Sequence, residues 1–309
     1  MPVSPGFNDI EVTTEVGSSQ TFNIAPNFNT VEISRELGAP VSLYFFKWGD
    51  HASSYYAYTD AEEPVSYAGK TYNPIPIGRE KIKASGSLDK TTLKVETTLD
   101  SEIAQLYLTG GPSHQTTLTI YQGHVGSTDF KAVFMGRLVG LEPRGPLVEI
   151  SAEPASTSMR GPGLRRHFQY GCPFVLYHKT TCKADPDAVK KSATVSAYGK
   201  ADITLAAGWN ELITLAKFRN GYITWTAAGG QTEIRTIIEA TATAITLTRK
   251  LSNITVGTTL TIYPGCNHQV SDCTDLHVEL GTGNPNIVNF GGQPYIPVKN
   301  PIGLTGQYY

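Results

Sequence analysis

All four cysteines of this 309-residue chain fall in its second half, Cys172 with Cys182 and later Cys266 with Cys273. Thiolates are the soft ligands that iron–sulfur clusters and tetrahedral zinc select, and both gain from ligands that the metal itself deprotonates. Nine residues separate the first pair and six the second, whereas zinc ribbons usually carry knuckles of about two to four residues. Zinc therefore loses ground without being excluded. Two disulfides are open to the same residues under oxidising conditions, and four unrelated buried thiols are the plain alternative. Spacing alone leaves these readings standing.

What lies between the pairs suggests how they meet. Each sits in a turn-rich segment, Gly171-Cys172-Pro173 and Pro264-Gly265-Cys266-Asn267. Between Ser192 and Tyr263 run Ala193–Ser196, Ile203–Leu205, Tyr222–Trp225, Thr236–Ile238, Ala244–Leu247 and Leu260–Tyr263, a pattern that predicts a small barrel or sandwich of about six strands. If the ends of such a module adjoin, both cysteine pairs arrive at its base.

The rest of the chain is also written for strand and turn. Charged residues make up only 17% of it, and Gly (30), Pro (19) and Tyr (16) are plentiful. Alternation begins at Val41–Trp48 and continues through Tyr55–Thr59, Val65–Tyr67, Thr91–Thr97, Thr117–Tyr121, Ala132–Met135 and Leu147–Ser151. One helix is expected over Ser101–Leu108, capped by Asp100 or Ser101 and stopped by Gly110-Gly111-Pro112. Residues 1–33 read as an arm, and Met159–Tyr170 as a basic connector at a domain boundary. The Gly-, Pro- and Asn-rich tail from Leu280 to Tyr309 is expected to be irregular. The fold class is thus mainly β: an N-terminal β-barrel or sandwich domain over 34–158, then a loop-rich four-cysteine domain over 159–309 with a small β-barrel inserted at about 190–263.

Several function classes lose support. A net charge of −2 gives no global reason to expect sequence-specific nucleic acid or anionic lipid as a partner. No secretory signal or membrane span is legible, so synthesis in the cytoplasm is expected. A Gly-x-Ser-x-Gly elbow, a phosphate loop and a His-Glu-x-x-His zinc motif are all missing from the sequence, and no enzyme is expected. His178, His268 and His277 lie near the cysteines and could replace one as a ligand, although a hydrogen-bonding histidine is the commoner case. Glu62-Glu63 and Asp185 with Asp187 read as solvated acidic turns. Trp48 and the tyrosines from Tyr55 to Tyr58 could form a carbohydrate-binding face, against the commoner reading of aromatics at strand spacing as core.

Three stretches together resemble a known family: Tyr170-Gly171-Cys172-Pro173-Phe174-Val175-Leu176-Tyr177 with Cys182, then Gly265-Cys266-Asn267-His268 with Cys273, then Asn289-Phe290-Gly291-Gly292-Gln293-Pro294-Tyr295-Ile296-Pro297. The order is similar to that of tail-tip (baseplate) hub proteins of siphophages and gene transfer agents, a family that includes the minor tail protein L of phage lambda. The likeness covers roughly residues 35 to 300. It implies a [4Fe–4S] cluster on Cys172, Cys182, Cys266 and Cys273, with zinc as the alternative. It also implies a virion protein assembled in the host bacterial cytoplasm, whose 34–158 domain forms a ring, a trimer favoured over a hexamer. The expected partners are the distal tail protein, the central hub or fibre protein and the tape measure protein. Alternatives of other classes are an iron–sulfur electron-transfer protein and a virion carbohydrate-binding module.

Overall fold

The computed structural model describes residues 40–82, 92–124, 126–160, 168–227, 229–251, 254–279 and 286–296, together with two short strands at 9–12 and 20–23. At 9–12, 20–23, 158–160 and 275–279 it describes the backbone only. Most of the expected arm, connector and tail lies outside the described residues. The chain divides into two units: residues 1–49, 54–105 and 115–160 make the first, and 50–53, 106–114 and 161–309 the second.

In the first unit β1 (Asp9–Val12) and β2 (Gln20–Asn23) pair as an antiparallel hairpin within the stretch read as an arm. Nine further strands follow: β3 (Pro40–Trp48), β4 (Tyr55–Thr59), β5 (Val65–Tyr67), β6 (Lys70–Pro74), β7 (Ile77–Arg79), β8 (Leu93–Thr98), β9 (Thr116–His124), β10 (Lys131–Arg144) and β11 (Leu147–Pro154). They form one sheet in the order β5-β6-β4-β3-β9-β10-β11-β8-β7. Only β4 and β6 run parallel.

Period-two burial explains the register. On β11 Val148, Ile150 and Ala152 are fully buried, and Ile150 and Ala152 face Val95 and Leu93 of β8. Glu149 between them is also buried, which a carboxylate tolerates because Lys94 (2.9 Å) and Arg144 (2.8 Å) both reach it. The expected helix is α1 (Glu102–Leu108), with Ser101 outside it as the cap, its hydroxyl accepting from the Ala104 amide at 3.4 Å. Gly110 and Gly111, both at positive φ, end it.

The second unit is built round a closed barrel, as the fold class anticipated. Its strands are β12 (Lys191–Tyr198), β13 (Asp202–Leu205), β14 (Tyr222–Thr226), β15 (Thr232–Ala240), β16 (Ala244–Leu247) and β17 (Thr259–Tyr263), closing in the order β12-β13-β16-β15-β14-β17. Alternate residues fill it, among them Ile203, Ile223, Ile245, Leu260 and Ile262, with Trp209 and Phe218 packed ring to ring at 4.7 Å.

Two helices were not foreseen. The short α2 (Pro186–Val189) starts on Asp185, whose carboxylate accepts from the Asp187 amide at 2.9 Å, and carries Pro at its first turn. The other, α3 (Val270–Glu279), begins in the polar stretch between Cys266 and Cys273 and carries Cys273. Among the described residues no helix is long and apolar enough to cross a membrane.

Candidate functional site

Closure of the barrel brings the cysteine pairs to one end. Lys191, the first residue of β12, pairs with Ile262 near the end of β17. The chain that leaves Cys182 through α2 and the chain that reaches Cys266 after Tyr263 therefore flank the same rim. Tyr177 joins them: its buried hydroxyl donates to the Pro264 carbonyl at 2.8 Å. Its ring meets Tyr222 and Tyr263, which stack at 4.6 Å, and the loop of the first pair rests on this aromatic floor with Ala184, Val189 and Cys182. Desolvation by that packing, with neighbouring Tyr222 next, pushes the Tyr177 phenol up.

Glycines permit the close backbone approaches. A Cβ on Gly265 would stand 1.9 Å from the Arg219 carbonyl oxygen and 2.5 Å from the Gly221 nitrogen. Instead the Gly265 amide donates to the Lys217 carbonyl at 2.7 Å and delivers Cys266. On the other side, a Cβ on Gly291 would fall 2.4 Å from the Phe174 ring, and one on Gly292 would fall 2.6 Å from the Tyr170 carbonyl. The Gly-Gly of Asn289-Phe290-Gly291-Gly292 thus lets residues 286–296 lie directly on the Cys172 segment, where the Gln293 amide also donates to Gln169 at 2.9 Å.

Amide donors reach three of the four sulfurs. The Gly291 N–H donates to Cys172 Sγ at 3.4 Å, the His268 N–H to Cys266 Sγ at 3.2 Å, and the Asn286 side-chain amide to Cys182 Sγ at 3.8 Å and the Cys182 carbonyl at 2.8 Å. All four cysteines are free thiols, Cys172 buried and the others partly so. Burial, then the charge of Asp272 and of Cys182 and Cys172, pushes the Cys266 thiol up to about 11, against a lowering from the His268 amide. Burial, then Cys266, Cys172 and Cys182, pushes Cys273 up to about 12. In both cases loss of solvent is the larger cause and the neighbouring charges add to it. Among the described residues no three His, Cys, Asp or Glu side chains stand in a ready coordination arrangement. The chemistry of the donor set nevertheless suits a thiophilic centre: four soft ligands on two adjoining segments, and N–H groups directed at three of the sulfurs.

Asp272 is the charge beside this centre. Nearly buried at the start of α3, it accepts from the Asn267 amide and pairs with Lys217 at 3.3 Å. His268, at φ +60°, holds Cys172 twice: its carbonyl accepts from the Cys172 amide at 2.7 Å, and its Nδ1–H donates to the Cys172 carbonyl at 2.9 Å. His178 takes hydroxyl contacts from Thr180 and Thr181 through Nδ1. Both are hydrogen-bonding histidines here; the His277 side chain lies outside the described residues. Asp185 caps α2 and Asp187 pairs with Lys190, while Glu62 and Glu63 are exposed, as solvated acidic turns should be. Trp48 and Tyr58 are buried, Tyr58 donating to Glu102 at 2.9 Å, while Tyr55 and Tyr56 are partly exposed, so half of the aromatics considered for a sugar face serve as core. The sequence reading passed over Asn286, Asp272 and Lys217. Only the first carried a signal, the Asn286-x-x-Asn289 spacing of one helical turn.

Three comparisons bear on this geometry. Residues 216–300 match a family described as "Phage conserved hypothetical protein BR0599". No curated protein matches the sequence. A chain of a structure titled "Virion of native gene transfer agent (GTA) particle" shares the fold with TM-score 0.67 and 18% identity, over 88% of this chain and 94% of that one.

Proposed function

We propose that the chain is a structural component of the tail tip or baseplate hub of a long-tailed phage or gene transfer agent, and that Cys172, Cys182, Cys266 and Cys273 hold a [4Fe–4S] cluster that braces its second unit. The observation that carries this reading is the approach of the two cysteine segments at one end of the barrel inserted between them, with N–H donors directed at three sulfurs. The family match spans Cys266, Cys273 and the Asn-Phe-Gly-Gly segment, and the fold likeness to a gene transfer agent virion chain extends over nearly the whole of that chain. When bound, the cluster supplies metal–sulfur bonds between segments roughly a hundred residues apart, so binding becomes folding free energy, on the order of 10 kcal/mol for structural metal sites. The protein supplies the rest: the barrel rim sets the separation of the pairs, and the amides and Lys217 compensate charge. No catalytic turnover follows from this arrangement.

Assembly is read from surface chemistry. Phe168, Tyr170, Val175, Val288 and Tyr295 are all more than 60% exposed, and all belong to the two segments that pack against each other round Cys172. So much apolar surface on one lobe suits docking to another virion protein, for which the central hub or fibre protein is proposed. The first unit would form the ring, trimeric before hexameric, against the distal tail protein and tape measure protein at the tube end.

Purification without oxygen, followed by the visible spectrum and counts of iron and acid-labile sulfide, tests the cluster. Thiolate-bound iron with matching sulfide is expected in the wild type and is lost in Cys172→Ser; a colourless, zinc-loaded protein would overturn the cofactor. Electron microscopy of particles carrying Cys182→Ser tests the role. Tailless or tip-defective particles are expected, and normal virions that adsorb without ejecting DNA would refute a purely structural part.

A further inference from the structure

We infer that residues 286–292 form a donor strap that fixes Cys172 and Cys182 and holds metal on them, with Asn286 its positioning residue. The inference rests on the proposed metal centre and assigns a role to residues that are not themselves ligands. The 3-10 turn Asn286–Asn289 presents the Asn286 amide to both the carbonyl and the sulfur of Cys182. Its orientation is set by Asn289, whose own amide donates to Asn286 Oδ1 at 2.7 Å and so leaves Nδ2 as the group facing the cysteine. Phe290 N–H closes the turn on the Ile287 carbonyl at 3.0 Å, and the next amide, Gly291, donates to Cys172 Sγ. The stretch from Asn286 to Gly291 thereby contacts both members of the first pair, which have nine residues between them in their own loop.

Hydrogen bonds to a thiolate withdraw charge from sulfur. They fix the ligand's direction and favour the more negative state of an iron–sulfur centre, raising its potential. Their loss should therefore show in metal retention before it shows in folding. Outer partners of metal ligands commonly govern affinity by about 10- to 100-fold.

The test uses the full-length protein, loaded with its iron–sulfur cluster or, where that fails, with zinc, and follows release of the metal to excess chelator. Asn286→Leu is expected to accelerate release about tenfold or more, and Asn289→Ala, which removes only the orienting amide, to act in the same direction by less. Val256→Ala, at an exposed position of the second unit outside the strap, serves as the control and should release at the wild-type rate. Tryptophan fluorescence from Trp209 and Trp225 checks that the barrel stands in each variant; if Asn286→Leu loses it, Asn289→Ala decides. In the iron-loaded protein a lower reduction potential for the Asn variants is the second readout. Release and potential equal to those of Val256→Ala would overturn the strap while leaving the metal centre intact. A wild type that binds neither metal overturns the centre and the strap with it.

Discussion

His268 and Cys172 are joined twice, amide to carbonyl at 2.7 Å and ring Nδ1 to carbonyl at 2.9 Å, across 96 residues of sequence. The pairing makes His268 a structural clamp between the two cysteine segments. Because the ring contact is side chain to backbone, His268→Ala should destabilise the second unit by about 1 kcal/mol, and His268→Asn, which can still donate, by less. Urea unfolding of the metal-free proteins measures both. Equal losses in the two variants would mean that the ring bond contributes nothing.

Gly265 is expected to admit no side chain. Both nearest atoms to an added Cβ are backbone, at 1.9 and 2.5 Å, so no rotamer change can relieve the clash. Gly265→Ala should cost about 3 kcal/mol or more and disorder the chain on both sides of Cys266. Hydrogen exchange of residues 217–221 and 263–267 reports it directly.

The barrel holds a buried ion pair, Arg235 with Glu233 at 3.1 Å, each about 3% exposed. Arg235 also donates to the Gly111 carbonyl at 2.7 Å, and its guanidinium lies 5.5 Å from the Trp225 ring. Arg235→Ala leaves the buried Glu233 carboxylate hydrogen-bonded by the Ser113 amide and hydroxyl but without a counter-charge, and should destabilise the unit by about 3 kcal/mol. Replacing both partners, Arg235→Met with Glu233→Leu, should recover most of that loss in the same denaturation experiment.

Alkaline stability of the first unit should depend on Tyr44. Its fully enclosed phenol is pushed up to about 12, first by burial and then by the charge of Asp60, against a partial lowering by Arg79. An unfolded tyrosine ionises near pH 10, so this phenol's contribution is complete below about pH 10 and is lost as pH rises towards 12, on the order of 2 to 3 kcal/mol. Tyr58 and Tyr72, raised by burial in the same way, steepen the fall. In Tyr44→Phe the decline between pH 10 and 12 should be shallower; an identical slope would show that Tyr44 ionises without opening the fold.

Period-two alternation made the strands legible because each has a buried face: Ile203 and Leu205, Ile223 and Trp225, and Ile245 and Leu247 alternate with exposed or half-buried neighbours. The approach of the segments that carry the cysteines was legible as a conditional: six strands read as a barrel or sandwich, and the closed barrel brings the chain before and after it to one rim. Helix α3 was not. Its first turn is polar and its stabilisation comes from Asp272 accepting from Asn267 and pairing with Lys217, contacts that exist only once the barrel has placed Lys217. Asn286 was missed because its partners, Cys182 and Asn289, acquire meaning only when residues 286–292 are laid on the first cysteine loop.

The pairing of Lys191 with Ile262 also bears on how the thiols meet metal or oxidant. Uniting Cys182 with Cys266 in a disordered chain would mean closing a loop of more than eighty residues, an entropic barrier of about 4 to 5 kcal/mol by loop-closure scaling. In the folded chain strand pairing meets that cost. If the four thiols hold metal as proposed, the closed barrel offers both pairs at one rim, whereas a chain with its barrel open exposes two separated half-sites to oxidation.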